Sequence, residues 1–184
     1  MQTSTETSPP RTLAHHWPAA AGLLAAALVL AFTADRRTAT VGLTVAAMCY
    51  LGAAALGRRW VAWAGVAVFS VPVVVAEVIG VSWWVAMAVI AAVLLGIGLA
   101  IGVPRAPLLA QAVAALAYGG IAVTALYLSA DAGLLLAGLA LAAHAVWDTV
   151  HYRRNVVVPR SLAEACMFFD VPLGLGIAVI ALTG

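Results

Sequence analysis

Long apolar stretches alternate with short polar segments along most of the chain. Each stretch is close to 20 residues long, the length at which an α-helix crosses a hydrocarbon core of roughly 30 Å. The pattern predicts seven transmembrane helices, over approximately 17–34, 38–57, 60–79, 81–101, 107–129, 132–152 and 160–182. Residues 1–16 are polar and contain prolines, which predicts a disordered tail ahead of one seven-helix domain over 17–184.

Composition favours the same class of protein. Hydrophobic residues make up 65% of the chain and charged residues 9%, whereas soluble domains carry roughly 25% charged residues. We therefore expect an all-α polytopic membrane protein in which sequential helices pack antiparallel through short loops. The first apolar stretch is also readable as a signal peptide, but the region before it is long and weakly basic, so a helix is favoured.

The arginines predict an orientation. Seven of them lie on the side of the N-terminus, namely Arg11, Arg58, Arg59, Arg105, Arg153, Arg154 and Arg160, and the other side has Arg36 and Arg37. Because positively charged loops stay in the cytoplasm, we expect a cytoplasmic N-terminus and an external C-terminus. The nine Lys or Arg residues are all arginine and the chain is rich in Ala and Gly, which favours a high-GC bacterial genome. Together with the apolar stretches, this predicts a multi-pass protein of a bacterial inner (plasma) membrane. The net charge of +2 gives no indication of a nucleic-acid partner.

Ionisable residues concentrate in the segment HAVWDTVHYRRNVVVPRSLAEACMFFD, residues 144–170. At 100° per residue, His144, Asp148 and His151 share one stripe of the sixth helix. Asp170 lies at a depth similar to that of His144, roughly 13 Å from the helix ends. A charged aspartate without a partner at that depth destabilises the protein by roughly several kcal/mol. Asp148 and Asp170 are therefore candidate acid or base groups with His144 as partner; a purely structural Asp170–His144 hydrogen bond is the alternative.

Other polar residues of this segment have separate expected roles. Ser161 and Glu164 form an S-x-x-E pattern, which predicts a capping box at the start of the seventh helix. His151 is expected near the membrane surface. Cys166 lies one turn from Asp170 on the same face and is a candidate substrate contact. Cys49 is in a different helix, so no disulfide framework is predicted.

Glu77 is a further acid inside a predicted helix. Its position near the outer end of the third helix places it away from Asp148, unless a kink at Pro72 or an early helix end turns it inward. We include it as a second acid or terminal base, with an interfacial role as the alternative.

The aromatic residues predict how a cavity beside the acids is lined. Trp147 and Phe169 flank the polar residues, and Trp84 and Tyr118 lie on other helices. Facing a cavity that also contains an acid, such rings stabilise a cation through cation–π attraction.

Three chemistries fit these residues. A protonated aspartic acid in an apolar cavity can protonate an alkene or epoxide without any metal or cofactor. Alternatively, His144, Asp148 and His151 bind a metal ion in an intramembrane lipid hydrolase, with Asp170, Glu164 or Glu77 as a further ligand. A small proton-coupled carrier is the third possibility, disfavoured because the polar groups cluster at one end.

A resemblance favours the first chemistry. HAVWDTVHYRR followed by EACMFFD, with an isolated glutamate in the third helix, resembles the small integral-membrane terpene cyclases of actinobacterial indole and diketopiperazine sesquiterpenoid pathways. The plan is also similar to that of fungal seven-helix meroterpenoid cyclases, which start cyclisation by protonation from intramembrane carboxylates. The resemblance implies roles for Glu77, Asp148 and Asp170 and a lipophilic prenylated substrate, while the ring pattern and the oligomeric state stay open.

Overall fold

The computed structural model describes residues 16–184, so the predicted tail, apart from its last residue, lies outside the described part. Residues 16–184 form seven α-helices and no strand. The helices are α1 (Trp17–Phe32), α2 (Arg36–Leu56), α3 (Val61–Val78), α4 (Trp83–Ile101), α5 (Arg105–Tyr127), α6 (Ala130–Arg154) and α7 (Arg160–Thr183). The predicted all-α fold is confirmed. Six of these helices, α2 to α7, are long and apolar enough to cross a membrane, and α1 is shorter, with 16 residues.

Local sequence explains where the helices begin and end. The Asp35 side chain accepts a hydrogen bond from the Thr38 backbone N–H and caps the start of α2. Gly57 and Gly102 end α2 and α4 in the left-handed conformation, which glycine adopts without steric cost. The predicted capping box at α7 is wrong. The helix starts one residue before Ser161, with Pro159 as its N-cap, so Ser161 lies inside the first turn.

The middle of the bundle is α2. It packs against α3, α4, α5, α6 and α7, and 78% of its most apolar window is buried, compared with 17–39% for the other spans. Its sequence, RRTATVGLTVAAMCYLGAAAL, is dominated by small side chains. Small residues let helix backbones approach closely where no water drives association, which explains why this helix occupies the centre.

The first helix departs from the predicted sequential packing. α1 packs against α7, and α1 and α2 are not among the substantial helix pairs of residues 16–184. Gly22 explains this arrangement, because it lies directly against the backbone of Ala165 and leaves no room for a side chain. The close α1–α7 contact leaves a space between α1 and α2.

The tightest crossing joins α6 and α7. A Cβ atom built on Gly138 would lie 2.7 Å from the Gly174 carbonyl oxygen, and one built on Gly174 would lie 2.6 Å from the Ala142 nitrogen. The two backbones therefore touch at a pair of glycines. Because His144 and Asp170 lie within two turns of this crossing, the glycines determine how close these two side chains come.

The loops gather at two ends of the bundle. The connection between α2 and α3 meets that between α6 and α7, where Arg59 donates to the Asn155 side chain and the Val158 carbonyl. We call this the arginine-rich end. At the opposite end, Arg36 donates to the Leu128 carbonyl over 2.9 Å. The predicted grouping of the α2–α3 connection with the α6–α7 connection, and of the start of α2 with the α5–α6 connection, is confirmed.

Candidate functional site

Three ionisable side chains meet where α6 and α7 face each other. His144 and Asp148 have no exposed surface, and Asp170 is 1% exposed. His144 Nδ1 lies 2.9 Å from Asp170 Oδ2 and 3.3 Å from Asp148 Oδ2. The one-turn spacing of His144 and Asp148 on α6 and the glycine crossing with α7 produce this geometry. The sequence-based expectation that His144 and Asp170 share a depth is confirmed.

A fourth member comes from the central helix. The Tyr50 hydroxyl on α2 donates a hydrogen bond to Asp148 Oδ1 over 2.5 Å. Tyr50 is 1% exposed, and its ring contacts the edge of His144, with ring centroids 5.8 Å apart. The result is a continuous buried chain of polar groups, Tyr50–Asp148–His144–Asp170, which we call the buried relay.

Three atoms of the relay have no hydrogen-bond partner among the described residues. They are His144 Nε2, Asp148 Oδ2 and Asp170 Oδ1. A buried polar atom without a partner costs about 1–3 kcal/mol, and more when it is charged. Such atoms call for an explanation, and a shared proton, a ligand or an ion at this place would provide one.

An apolar cleft of about 550 Å³ lies beside the relay, between α1, α2, α3 and α7. Asp170 and Cys166 form part of its α7 wall, and the residues along it from α2 include Val45 and Cys49. Asp148 and His144 do not line it. Asp170 is thus the member of the relay that a molecule in the cleft would contact. The volume falls in the range of roughly 300–1,000 Å³ usual for small-molecule sites.

The cleft is open on one side and closed at one end. Ala21, Ala25, Val66 and Ser70 line it and are exposed on α1 and α3, so the gap between these two helices faces the surroundings of the bundle. Towards the arginine-rich end, Trp17 stacks on Trp63 with centroids 5.4 Å apart. The hydroxyl of Ser161 accepts a hydrogen bond from Trp63 Nε1 over 3.0 Å, which fixes this closure.

A second polar group joins α5 to α6 through Gln111, Trp147 and His151. Trp147 Nε1 donates to Gln111 Oε1 over 3.0 Å, and Gln111 Nε2 lies 3.0 Å from His151 Nε2. His151 Nδ1 is 2.8 Å from the Trp147 carbonyl. Both ring nitrogens of His151 are therefore engaged. The predicted metal set of His144, Asp148 and His151 is wrong in its last member, because His151 turns towards α5.

Glu77 is not brought to the relay. It is exposed near the far end of α3 and forms an ion pair with Arg37. Pro72 lies inside an uninterrupted α3 and does not turn Glu77 inward. The expectation that Glu77 acts beside His144 and Asp170 is contradicted by this position.

Of the five predicted aromatic and thiol contacts, two line the cleft beside Asp170 and three do not. Phe169 and Cys166 line the cleft beside Asp170. Tyr118 contacts the edge of the His144 ring, at a centroid distance of 4.8 Å. Trp147 does not line the cleft. Trp84 lines a separate apolar cavity of about 620 Å³ between α2, α4 and α5, which is not lined by an ionisable residue.

Sequence reasoning missed Tyr50, Gln111 and Trp63. The signal for Gln111 was present, because it is the lone glutamine among residues 16–184 and lies inside an apolar helix. Tyr50 and Trp63 gave no comparable signal, since aromatic residues are common in membrane helices and most of them pack without a chemical role. Their partners lie about a hundred residues away and only the fold brings them together.

The relay also satisfies a simple geometric requirement for metal binding. His144, Asp148 and Asp170 each offer one ligand atom, and these atoms lie within 4.8 Å of one another. One nitrogen and two carboxylate oxygens suit zinc or iron. The same atoms therefore fit either a shared proton or a metal ion.

Comparisons with known proteins do not assign the chain to a family. No model of a protein family matches the sequence, and no match was found among curated proteins or among solved structures. The resemblance to membrane terpene cyclases stays a prediction.

Proposed function

We propose that this protein is a membrane-embedded terpene cyclase that protonates an alkene or epoxide of a lipophilic prenylated substrate. The single observation that carries the proposal is the position of Asp170. It ends a buried chain of hydrogen-bonding groups and at the same time forms part of the wall of an apolar cleft. An acid positioned in this way meets a hydrocarbon substrate where water is scarce.

Charge balance supports a stored proton in the relay. Low polarity favours a cluster without net charge. Two aspartates and one histidine have no net charge as an imidazolium, one carboxylate and one neutral carboxylic acid, or with all three groups neutral; both arrangements keep an acidic proton. Asp148 Oδ1 accepts the Tyr50 hydroxyl hydrogen, which favours Asp148 as the carboxylate. Asp170 is then the acid.

Proton transfer follows from the atoms that are available. His144 Nδ1–H donates to Asp170 Oδ2, which leaves Oδ1, without a partner among residues 16–184, to carry the acidic proton. Transfer of that proton to one alkene carbon leaves a cation on the other carbon, which a second double bond attacks to form the ring bond. The Asp170 carboxylate then accepts the proton released when the final cation becomes an alkene, so that the net reaction is an isomerisation.

The cleft supplies what a carbocation needs. Its walls are almost entirely hydrocarbon, so water that would trap the cation is excluded. Phe169 and Trp63 line the cleft, and aromatic rings there can stabilise a cation through cation–π attraction. Trp63 takes the role that the sequence suggested for Trp147. The opening between α1 and α3 would allow a lipophilic substrate to enter sideways from the bilayer.

The test is turnover of a farnesylated aromatic substrate and of its terminal epoxide by purified protein in lipid nanodiscs. Asp170→Asn is expected to lower turnover at least about 100-fold, because general acid catalysis contributes about 10²–10⁴-fold. In D₂O the alkene substrate should give a cyclised product with one solvent deuterium at the protonated carbon. Asp131→Asn is the matched control, since Asp131 is exposed in the first turn of α6. Full turnover by both Asp170→Asn and Asp148→Asn would exclude the mechanism.

One observation favours a second candidate, a metal-dependent lipid hydrolase. The ligand atoms of His144, Asp148 and Asp170 lie close enough for one ion. In this set of ligands Asp170 takes the position that the sequence suggested for His151. Elemental analysis of the purified protein separates the two candidates. Stoichiometric zinc or iron, with activity lost to chelators, supports the hydrolase, and activity of metal-free protein supports the cyclase. The carrier has less support, because the buried ionisable groups of residues 16–184 gather in one half of the bundle.

A further inference from the structure

The second cavity, of about 620 Å³, is a groove between α4 and α5 with α2 as its floor. Met48 and Leu51 of α2 line this floor and are buried. Ala92 of α4 and Val113 and Leu116 of α5 line the groove and are exposed, so it opens sideways to the surroundings of the bundle. We call it the α4–α5 groove. For a bundle that lies in a bilayer, the molecules at this opening are lipids.

The lining of the α4–α5 groove suits a hydrocarbon chain. Apart from the indoles of Trp83 and Trp84, the one hydroxyl, amide or charged side chain among its lining residues is Thr44. The Thr44 hydroxyl already donates a hydrogen bond to the Thr40 carbonyl over 2.8 Å. A polar ligand group inside the groove would therefore lose its hydrogen bonds to water without gaining new ones, which is unfavourable.

The groove is closed at one end and is as long as a lipid chain. A Cβ atom built on Gly98 of α4 would lie 2.9 Å from the Leu108 side chain and 3.2 Å from Ala55 Cα, so α2, α4 and α5 meet there. From this closure the groove extends along α5 from Leu109 to Val123, which is about fourteen residues or roughly 21 Å. With C–C bonds of about 1.5 Å in a zigzag, an extended chain of roughly sixteen to eighteen carbons has this length.

Arg105 continues the α5 wall of the groove beyond the closed end. The α5 residues that line the groove share one face of the helix, and Arg105 lies on that face one turn before Leu109. Arg105 is exposed and forms no ion pair with an acidic side chain of residues 16–184. A head group whose chain leaves the groove over Leu109 would lie beside this guanidinium, which binds phosphate oxygens well.

The surroundings of Arg105 add positive charge. A Cβ atom on Gly57 would lie 3.5 Å from Val103 Cγ1, so the α2–α3 connection with Arg58 is next to the start of α5. The half-buried Glu164 is on α7, which does not line the groove. The exposed acids of residues 16–184 lie at the opposite end of the bundle, and they are Asp35, Glu77 and Asp131.

From these features we infer that the α4–α5 groove binds one acyl chain of an anionic phospholipid from the leaflet at the arginine-rich end, with the phosphate of the head group at Arg105. The chain fills the space beside α2, on a different face of this helix from the cleft. Basic residues near a membrane surface favour anionic over zwitterionic lipids. The inference is independent of the proposed function, because it concerns another cavity and a ligand that does not react.

Recognition of the head group is measurable by native mass spectrometry. The full-length protein in detergent is mixed with equal amounts of palmitoyl-oleoyl phosphatidylglycerol and phosphatidylcholine, and the bound lipids are counted. The anionic lipid should be retained at least about fivefold better, and Arg105→Ala should remove most of this preference, since one arginine contributes roughly this factor. Arg153→Ala is the control, because Arg153 is exposed at the same end on α6, which does not line the groove. Equal retention of the two lipids, or an equal loss in both variants, would overturn the inference.

Occupancy of the groove is measurable through its own tryptophans. Trp83 and Trp84 begin α4, at the opposite end of the groove from Gly98. Phosphatidylglycerol with a bromine at the end of one sixteen-carbon chain should therefore quench tryptophan emission in a saturable way when it is titrated into phosphatidylcholine nanodiscs. Replacing both tryptophans by phenylalanine should abolish the saturable part. Saturable quenching that survives this replacement would place the chain elsewhere.

A variant that fills the groove tests the binding place without changing a charge. Gly119 lines the groove and Gly96 does not, and a Cβ atom built on either meets no atom within 4 Å outside its own helix and chain neighbours. Gly119→Leu should abolish the saturable quenching, and Gly96→Leu should leave it unchanged. Unchanged quenching in Gly119→Leu would contradict the inference. A lipid-free dimer that Gly119→Leu dissociates would also overturn it, because a second copy of the chain would then occupy the groove.

Discussion

Tyr50 on α2 and Asp148 on α6 share a hydrogen bond of 2.5 Å between side chains that are 98 positions apart in sequence. The bond ties the central helix to the pair of helices that carries the acids. The two aspartates therefore have different surroundings, because Asp148 accepts a hydrogen bond from Tyr50 while Asp170 lines the cleft.

Tyr50→Phe should therefore lower turnover without removing an acid. Loss of the hydroxyl leaves a buried carboxylate oxygen unpaired, which costs about 1–3 kcal/mol and corresponds to roughly a 10–100-fold effect. The measurement is the steady-state rate across pH. The profile should shift, because without the Tyr50 hydroxyl the Asp148 carboxylate competes better with Asp170 for the acidic proton. Tyr127→Phe is the control, since that ring is 75% exposed. An unchanged rate and profile would show that Tyr50 only fills space.

Gly138→Ala should destabilise the bundle and separate the acids. A methyl group there would meet the Gly174 carbonyl at 2.7 Å, and such overpacking costs about 1–3 kcal/mol. Denaturant unfolding in mild detergent checks the stability, and turnover checks the His144–Asp170 contact. Gly96→Ala provides the control, because no atom beyond its chain neighbours and the adjacent backbone of its own helix lies within 4 Å of the added methyl group. Equal stability of the two variants would exclude close helix approach as the reason for glycine at position 138.

Gln111→Leu should weaken the attachment of α5 to α6. It leaves the Trp147 indole N–H and a buried His151 nitrogen without their partners, at a cost of about 1–3 kcal/mol each. The expected result is a lower unfolding midpoint with nearly normal turnover. A selective loss of activity in a stably folded variant would instead indicate that His151 belongs to the chemical site.

The orientation in the membrane stays a prediction from the arginines. A green fluorescent protein fused after Gly184 should be dark and an alkaline phosphatase at the same position should be active, because positive loops remain cytoplasmic. Fusions in the connection between α6 and α7, beside Arg154 and Arg160, should show the opposite result. Reversed signals at both positions would invert the topology and place the arginine-rich end at the external face.

Hydropathy and helical periodicity were enough to define the helices and most of the acid cluster. Runs of apolar residues define membrane helices directly, because a helix in lipid satisfies its own backbone and needs no partner to form. Helical periodicity placed His144 beside Asp148, and counting residues from the loops placed Asp170 at the same depth. These are properties of single helices or of neighbours in sequence.

Packing between distant segments decided which helix is central and which residues surround Asp170. In lipid every helix has an apolar exterior, so hydropathy does not show which faces meet. Packing of small residues brings α2 to the centre and draws α1 onto α7, which opens the cleft. The same packing brings Tyr50 to Asp148 and Trp63 to Ser161, and it leaves Glu77 at the far end with Arg37. These contacts depend on steric fit in the folded bundle, for which a single sequence carries no local signal.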